Sequence, residues 1–169
     1  MSDAPNARII GKSLEDLLDQ TVHEAYRRAG QADIWHQGTV CIPTRRGWQP
    51  IESRPDYSGL LIGSGQHVEF DAKHCLERRY RHSTKRLHQL RILWNVHQKG
   101  GIAGILVANL EADAAWWLRP RPEWAREEFQ STVLGLEPWS IPVPCHTAFW
   151  SFVPDWLPVA VEAAREAIR

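Results

Sequence analysis

Three residues of this chain, Asp56, Asp71 and Lys73, could form a site for hydrolytic chemistry if the fold brings them together. A Gly-Ser-Gly sequence at 63–65 separates the two apolar-rich runs that contain them, which predicts a β-hairpin. Folding back at this turn sets positions whose numbers sum to about 127 or 128 opposite each other. Asp56 then faces Asp71 or Ala72 across the hairpin.

The second strand of this hairpin has one polar and one apolar face, because side chains alternate along a strand. The polar face carries His67, Glu69, Asp71 and Lys73, and the apolar face carries Val68, Phe70 and Ala72. Clustered acids repel each other unless a cation lies among them, and hard oxygen ligands suit Mg²⁺. A lysine beside that cation could orient or activate water. Asp-x-Lys is also common on the solvent face of ordinary strands, and we interpret Glu69 as such an exposed residue.

Basic residues are concentrated directly after Lys73. Between 74 and 91 there are six lysines and arginines and one acid, whereas acids outnumber bases nine to five from Glu111 onward. The chain as a whole has no net charge. A basic segment beside the carboxylates is what a phosphate-backbone site needs, and a solvated loop and helix face is the alternative. The residues that could contact phosphate are Arg78, Arg79, Arg81, Lys85 and Arg86.

The hydrophobic pattern predicts the elements that must position these residues. A helix begins at the N-cap Ser13 and stops at Gly30, with an inward stripe of Leu14, Leu17, Leu18, Val22, Ala25, Tyr26 and Ala29. A nearly continuous apolar run at 102–110 predicts a central strand buried on both faces. The other predicted elements are a strand at 32–41, an exposed arm at 42–55, the hairpin, a helix from Ser83 or Thr84 to about Gln98, a strand at 116–118 and helices at 122–133 and 158–169.

This order of elements predicts a single α/β domain over residues 1–169, with a mixed β-sheet flanked by helices. No apolar run is long enough for a transmembrane helix, and the polar N-terminus at 1–8 lacks the apolar core of a signal peptide. The three cysteines are far apart and odd in number, which favours a reducing cytoplasm over a disulfide framework.

Five short motifs, in order and at matching spacing, resemble those of RecU-type Holliday junction resolvases, a branch of the PD-(D/E)xK nuclease superfamily. They are Gly11-Lys12-Ser13-Leu14-Glu15-Asp16, Asp56-Tyr57-Ser58-Gly59, Phe70-Asp71-Ala72-Lys73, His88-Gln89-Leu90 and Gly100-Gly101-Ile102-Ala103. The family more often has glutamate where this chain has Asp71. The resemblance covers a core at about 11–118, followed by a C-terminal extension that we expect to be helical.

The resemblance implies a restriction-endonuclease-like core and a role for each matching residue. Mg²⁺, with Mn²⁺ as an alternative, would be held by Glu15, Asp56, Asp71 and the carbonyl of Ala72. Lys73 would position or activate the attacking water, and Gln89 would orient the site or contact DNA. The implied reaction is in-line phosphodiester hydrolysis. A homodimer would make two symmetric nicks across a four-way DNA junction, in a bacterial cell or a phage-infected host.

The predicted arm at 42–55 corresponds to a longer stalk that enters the junction centre in the family. Arg45, Arg46 and Trp48 could still reach DNA from this shorter arm, with Trp48 stacking on unpaired bases. Two other functions remain open: a nuclease of the same chemistry acting on flaps, nicks or linear duplex, and a DNA-binding protein without catalysis.

Overall fold

The computed structural model describes residues 14–38, 41–45, 47–50, 54–75, 79–81, 87–109, 112–126, 133–135, 140–148 and 151–166. Helix α1 spans residues 14–28, helix α2 is Leu87–Gln98 and helix α3 is Trp156–Glu166. Strands β1 to β6 are Ala32–His36, Cys41–Thr44, Gly47–Pro50, Tyr57–Leu61, His67–His74 and Arg79–Arg81. Strands β7 to β12 are Ile102–Asn109, Ala114–Leu118, Val133–Gly135, Ser140–Val143, Cys145–Ala148 and Ser151–Pro154. Within these ranges no helix is long and apolar enough to span a membrane.

A six-stranded sheet with the strand order β1-β4-β5-β7-β8-β10 forms the centre of the fold. Strands β5 and β7 are parallel, as their connection through α2 requires, and the other neighbours are antiparallel. Strands β2 and β3, β6 and β9, and β11 and β12 form three separate two-stranded sheets. The predicted α/β class, a mixed sheet flanked by helices, is confirmed.

The predicted hairpin is strands β4 and β5. Tyr57 pairs with Phe70 and Ser58 pairs with Glu69, which is the register in which residue numbers sum to 127. The turn contains Gly63 and Gly65 at positive φ, 97° and 68°, a conformation that costs glycine little. The turn chemistry and the strand pattern therefore determine the register, as predicted.

Two apolar clusters cover the two faces of the sheet. On the α1 face, Phe70 and its even-numbered neighbours in β5 pack with residues of α1 and α3. On the α2 face, Ile105 and its odd-numbered neighbours in β7 pack with leucines of α2. All eight residues of β7 are buried, which confirms the predicted central strand. Since Asp71 pairs with Ile105 in parallel register, the odd-numbered residues of β5 lie on the α2 face.

Helix α1 differs from the predicted regular helix. It contains a π-helical segment, Leu18–Val22, in which the His23 amide donates to the Leu18 carbonyl. A π turn holds one more residue than an α turn, so it changes which residues face inward. Leu14, Leu18, Val22 and Tyr26 are buried as predicted, but Ala25 and Ala29 are exposed and His23 is buried instead. The proposed N-caps Ser13, Ser83 and Thr84 lie outside the described residues.

Two other elements are shorter than predicted. The strand predicted at 32–41 ends at His36, and the arm that follows begins as a β-hairpin of β2 and β3. Within the helix predicted at 122–133, Pro122–Ala125 form a 3-10 helix, Arg126 has extended backbone (ψ 136°) and Val133 belongs to β9, while residues 127–132 lie outside the described residues. The extension after Leu118 is not purely helical either, since β10 adds a strand to the central sheet. The helix predicted at 158–169 begins earlier, at Trp156.

Candidate active site

The hairpin brings Asp56, Asp71 and Lys73 into one buried cluster on the α2 face. The Lys73 ammonium lies 2.6 Å from Asp56 Oδ2 and 2.9 Å from Asp71 Oδ2. The exposed fractions of the three side chains are 20% for Asp56, 0% for Asp71 and 16% for Lys73. The contact that the residue spacing predicts between the two acids and the amine is present.

Backbone hydrogen bonds hold the two carboxylates in place. The Asp56 amide donates to Asp71 Oδ1 at 3.2 Å, and the Ala72 amide donates to Asp56 Oδ2 at 3.1 Å. The Gln37 amide donates to the Asp56 carbonyl at 2.7 Å, which extends the pairing of β1 and β4 up to the site. Hydrogen bonds from amides to carboxylates are charge-assisted, so they fix the positions of both acids.

Gly59 allows β1 and β4 to approach closely next to this site. A Cβ at Gly59 would collide with the Asp33 carbonyl oxygen and lie 2.5 Å from Ile34 Cδ1. The small residue in the Asp56-Tyr57-Ser58-Gly59 motif is therefore required by packing. This close pairing sets the start of β4, and with it the position of Asp56.

Burial and charge act in opposite directions on the three titratable groups. Burial raises the pKa of Asp71 to about 7. The attraction of Lys73 opposes this shift, and the repulsion of Asp56 adds to it. Burial also acts to raise the pKa of Asp56, but Lys73 and the Ala72 amide outweigh it and the pKa is lowered. Burial disfavours the Lys73 ammonium, yet Asp71 and Asp56 keep its pKa above the usual value. With both acids ionised the site would hold one more negative charge than Lys73 neutralises, and the raised pKa of Asp71 reflects the cost of that charge.

The donor atoms of this cluster fit a divalent cation. Carboxylate oxygens are hard ligands of the kind that Mg²⁺ and Mn²⁺ prefer. Asp71 Oδ2 is buried and has no well-aligned hydrogen bond, although the Lys73 ammonium lies 2.9 Å away. A divalent cation that binds this oxygen would share it with the Lys73 ammonium or displace that ammonium. Within the described ranges, however, no three side chains of His, Cys, Asp and Glu lie close enough together to hold a metal.

The third predicted acid, Glu15, is not brought into the cluster. It is half-buried in helix α1, which packs on the opposite face of the sheet from Asp56 and Asp71. Its main-chain carbonyl accepts a hydrogen bond from the Tyr57 hydroxyl at 3.4 Å. Glu15 thus lies near the start of β4, and its role as a metal ligand stays a prediction.

Gln89 supports the segment that leads into Asp56. Its side chain is buried on α2, and its amide donates to the Arg54 carbonyl at 2.9 Å. Arg54 precedes Asp56 by two residues, so this bond links α2 to the entry of the site. The contact supports the predicted orienting role of Gln89.

Replacing Gln89 with leucine is expected to lower the rate of a single cleavage turnover about tenfold, since small displacements of reacting groups are costly. Junction affinity should stay within about twofold, because the lost bond is internal. Quenched-flow cleavage under saturating junction measures the rate. The matched control is Gln98→Leu, an exposed position at the other end of α2. Equal rates for the two variants would contradict an orienting role.

The predicted DNA contacts are only partly within the described residues. Arg45 follows β2 at the tip of the arm hairpin and is exposed, and Trp48 in β3 is 71% exposed. Arg79 and Arg81 belong to β6, which pairs with β9. Arg46, Arg78, Lys85 and Arg86 lie outside the described residues. The described residues of the arm form the exposed hairpin of β2 and β3, and its DNA contacts stay a prediction.

Sequence reasoning was wrong about Glu69 and did not identify Asp19. Glu69 is buried and accepts hydrogen bonds from His67 Nε2 at 2.9 Å and Gln37 Nε2 at 3.4 Å, so it is not an exposed strand residue. Asp19 lies 3.6 Å from the buried His23 ring. The spacing of four residues between Asp19 and His23 on a predicted helix was the sequence signal for this contact.

The family model described as RecU: Recombination protein U matches residues 10–122, which is more than half of the chain. The comparison with curated proteins found no match. Among solved structures, the Holliday junction resolvase Hjc of Archaeoglobus fulgidus, an archaeal hyperthermophile, is similar, with 18% identity and a TM-score of 0.44. That likeness covers 78% of this chain and 88% of Hjc. The predicted resemblance is confirmed, and the chain belongs to the RecU recombination protein family.

Proposed function

We propose that this protein is a divalent-metal-dependent endonuclease that resolves four-way (Holliday) DNA junctions by paired phosphodiester hydrolysis. The observation that carries the proposal is the buried cluster of Asp56, Asp71 and Lys73 in a chain of the RecU family. A structural ion pair would need one acid for one lysine, whereas this site buries two acids. An excess of buried negative charge is expensive without a cation, so the cluster favours metal-assisted chemistry.

The protein residues have distinct roles in this reaction. Asp56 and Asp71 hold Mg²⁺ or Mn²⁺, with the Ala72 carbonyl and Glu15 as further oxygen donors. The chemistry that the ion supplies is neutralisation of phosphate charge and acidification of water. Lys73 keeps its proton because two carboxylates raise its pKa. Its ammonium therefore donates hydrogen bonds to the attacking water and to the scissile phosphate.

Branched DNA is the proposed substrate, and the arm hairpin of β2 and β3 is the proposed junction contact. Arg45 offers charge to the phosphate backbone, and the exposed Trp48 ring offers a stacking surface for unpaired bases. The basic residues at 78–86 extend the phosphate contact next to Lys73.

A homodimer is the proposed acting form. Paired incision on two strands needs two catalytic centres, and the described residues of one chain contain one cluster of this kind. A two-fold dimer would match the symmetry of a four-way junction. All three cysteines lie in the described residues and none forms a disulfide, which supports the cytoplasm of a bacterial cell or a phage-infected host as the compartment.

The proposed function is tested by offering the protein labelled four-way junction, flap and linear duplex with Mg²⁺. We expect paired, symmetric cuts in the junction and much slower cleavage of the other substrates. Asp56→Asn should bind the junction and not cut it. Faster cleavage of flaps or duplex than of the junction would mean that the four-way junction is not the preferred substrate. Unchanged cleavage by Asp56→Asn would overturn the assignment of Asp56 to a metal site. Light scattering of the junction complex tests the dimer, because a single bound copy would contradict it.

A further inference from the structure

The two carboxylates have an aromatic counterpart on the opposite face of the same hairpin. Tyr57 follows Asp56 and Phe70 precedes Asp71. Tyr57 and Phe70 lie directly opposite each other in the β4–β5 pairing. They stack at 4.9 Å with an interplanar angle of 13°, and both are fully buried. Because side chains alternate along each strand, the position of this ring pair determines the separation of the carboxylates behind it.

The Tyr57 hydroxyl connects this ring pair to helix α1. It donates to the Glu15 carbonyl at 3.4 Å, and the Tyr57 ring packs edge-on at 4.8 Å against the His23 ring, which lies 3.6 Å from the Asp19 carboxylate. The Tyr57 hydroxyl therefore joins α1, next to the predicted ligand Glu15, to β4, next to the predicted ligand Asp56.

The geometry of Asp19 has a local cause in the helix. Asp19 lies in the π-helical segment Leu18–Val22, whose closing bond runs from the His23 amide to the Leu18 carbonyl. π turns are uncommon and are found disproportionately at functional sites, because they redirect one side chain without ending the helix. Here Leu18 remains buried while the Asp19 carboxylate lies 3.6 Å from Nδ1 of the His23 ring, which packs edge-on against Tyr57.

We infer that Tyr57 and Asp19 are positioning residues for the nuclease reaction, linking the helix that carries Glu15 to the strand start that carries Asp56. The inference rests on the proposed function, since it assigns the link to the same metal-dependent site. Glu15 approaches from the α1 face and Asp56 lies on the α2 face, so neither strand pairing nor the hairpin turn relates them. The Tyr57 hydroxyl, bonded to the Glu15 carbonyl, and Asp19, which holds the His23 ring against Tyr57, provide that relation.

The test compares Tyr57→Phe and Asp19→Asn with Tyr26→Phe. Tyr26 is a second buried tyrosine on α1, and its hydroxyl donates to Asp155 Oδ1 at 2.7 Å, away from the site. Tyr57→Phe and Asp19→Asn should each lower kcat about tenfold and raise the Mg²⁺ concentration for half-maximal rate several-fold, with junction Kd within about twofold. Tyr26→Phe should lose comparable thermal stability and keep both kinetic values. The Mn²⁺ affinity of the protein without DNA, measured by titration calorimetry, should weaken several-fold in Tyr57→Phe and Asp19→Asn and stay unchanged in Tyr26→Phe.

Two results separate this inference from the proposed function. If the wild-type protein cuts no DNA, the proposed function fails, while the Mn²⁺ titration still decides whether Tyr57 and Asp19 position the metal ligands. If Glu15→Gln is inactive but Tyr57→Phe and Asp19→Asn match Tyr26→Phe in every measurement, the proposed function survives and the positioning role is overturned. Weakened Mn²⁺ binding in Tyr57→Phe and Asp19→Asn alone supports the inference.

Discussion

Replacing Asp71 with asparagine is expected to lower the cleavage rate by at least about a hundredfold, while junction affinity changes by less than about threefold. Asp71 is fully buried, and its Oδ2 is a buried carboxylate oxygen without a well-aligned hydrogen bond. Asparagine has nearly the same shape, so the Asp56 amide keeps an oxygen acceptor. The substitution removes the charge that a divalent cation needs and little else.

The matched control for Asp71→Asn is Glu69→Gln, on the same strand and the same face. Glu69 is also buried, but His67 and Gln37 occupy its oxygens, so its loss should leave the cleavage rate within about threefold. Single-turnover cleavage of a labelled junction measures both variants, and gel-shift titration in Ca²⁺ measures affinity. Comparable rate losses in the two variants would show that buried charge on this face, not metal binding at Asp71, sets the rate.

Asp71→Asn also has an expected effect on stability without metal. The pKa of Asp71 is about 7 in the folded protein against 3.8 as its ordinary value. Between these values the folded state binds the extra proton, so the free energy of unfolding should fall as the pH rises from about 4 to about 7. Urea unfolding at several pH values should show this loss in the wild-type protein and a flatter profile in Asp71→Asn. Parallel profiles would contradict the raised pKa of Asp71.

The hairpin that carries the candidate site could be predicted from sequence because every determinant of it is local. A glycine-rich turn sets the register, and strand alternation sets the faces, so Asp56, Asp71 and Lys73 meet without any distant contact. The central strand β7 was equally predictable, because a strand buried on both faces has to be apolar along its length.

The parts that were not predicted depend on tertiary packing. The π turn in α1 replaces an alanine stripe with the buried ring of His23, which packs edge-on against Tyr57 at 4.8 Å. Helical periodicity assumes a constant turn, so it could not show this change. Glu69 was assigned to solvent because alternation does not reveal that His67 and Gln37 surround it. The position of Glu15 relative to Asp56 likewise follows from how α1 packs on the sheet.

Replacing Lys73 with methionine is expected to separate the two tasks of the cluster, holding a cation and carrying out hydrolysis. Cleavage should fall by at least about a hundredfold, because the amine that orients water and phosphate is gone. Metal binding should persist or strengthen, since Asp56 and Asp71 lose the cation that occupies them now. Calorimetric titration with Mn²⁺ should therefore show binding in Lys73→Met and none in Asp71→Asn.

The same substitution should make folding depend on the cation. Without the ammonium, two carboxylates with 20% and 0% exposure remain side by side, which should destabilise the metal-free protein at pH 8 by about 3–5 kcal/mol. Their mutual repulsion raises both folded-state pKa values, so the lost stability should return as the pH falls to about 5. Millimolar Mg²⁺ at pH 8 should restore it as well, because a ligand of the folded state stabilises that state. Lys99→Met, an exposed position in the turn after α2, is the control and should show neither response. A Lys73→Met protein as stable at pH 8 as at pH 5, with no response to Mg²⁺, would mean that Lys73 does not compensate the two acids.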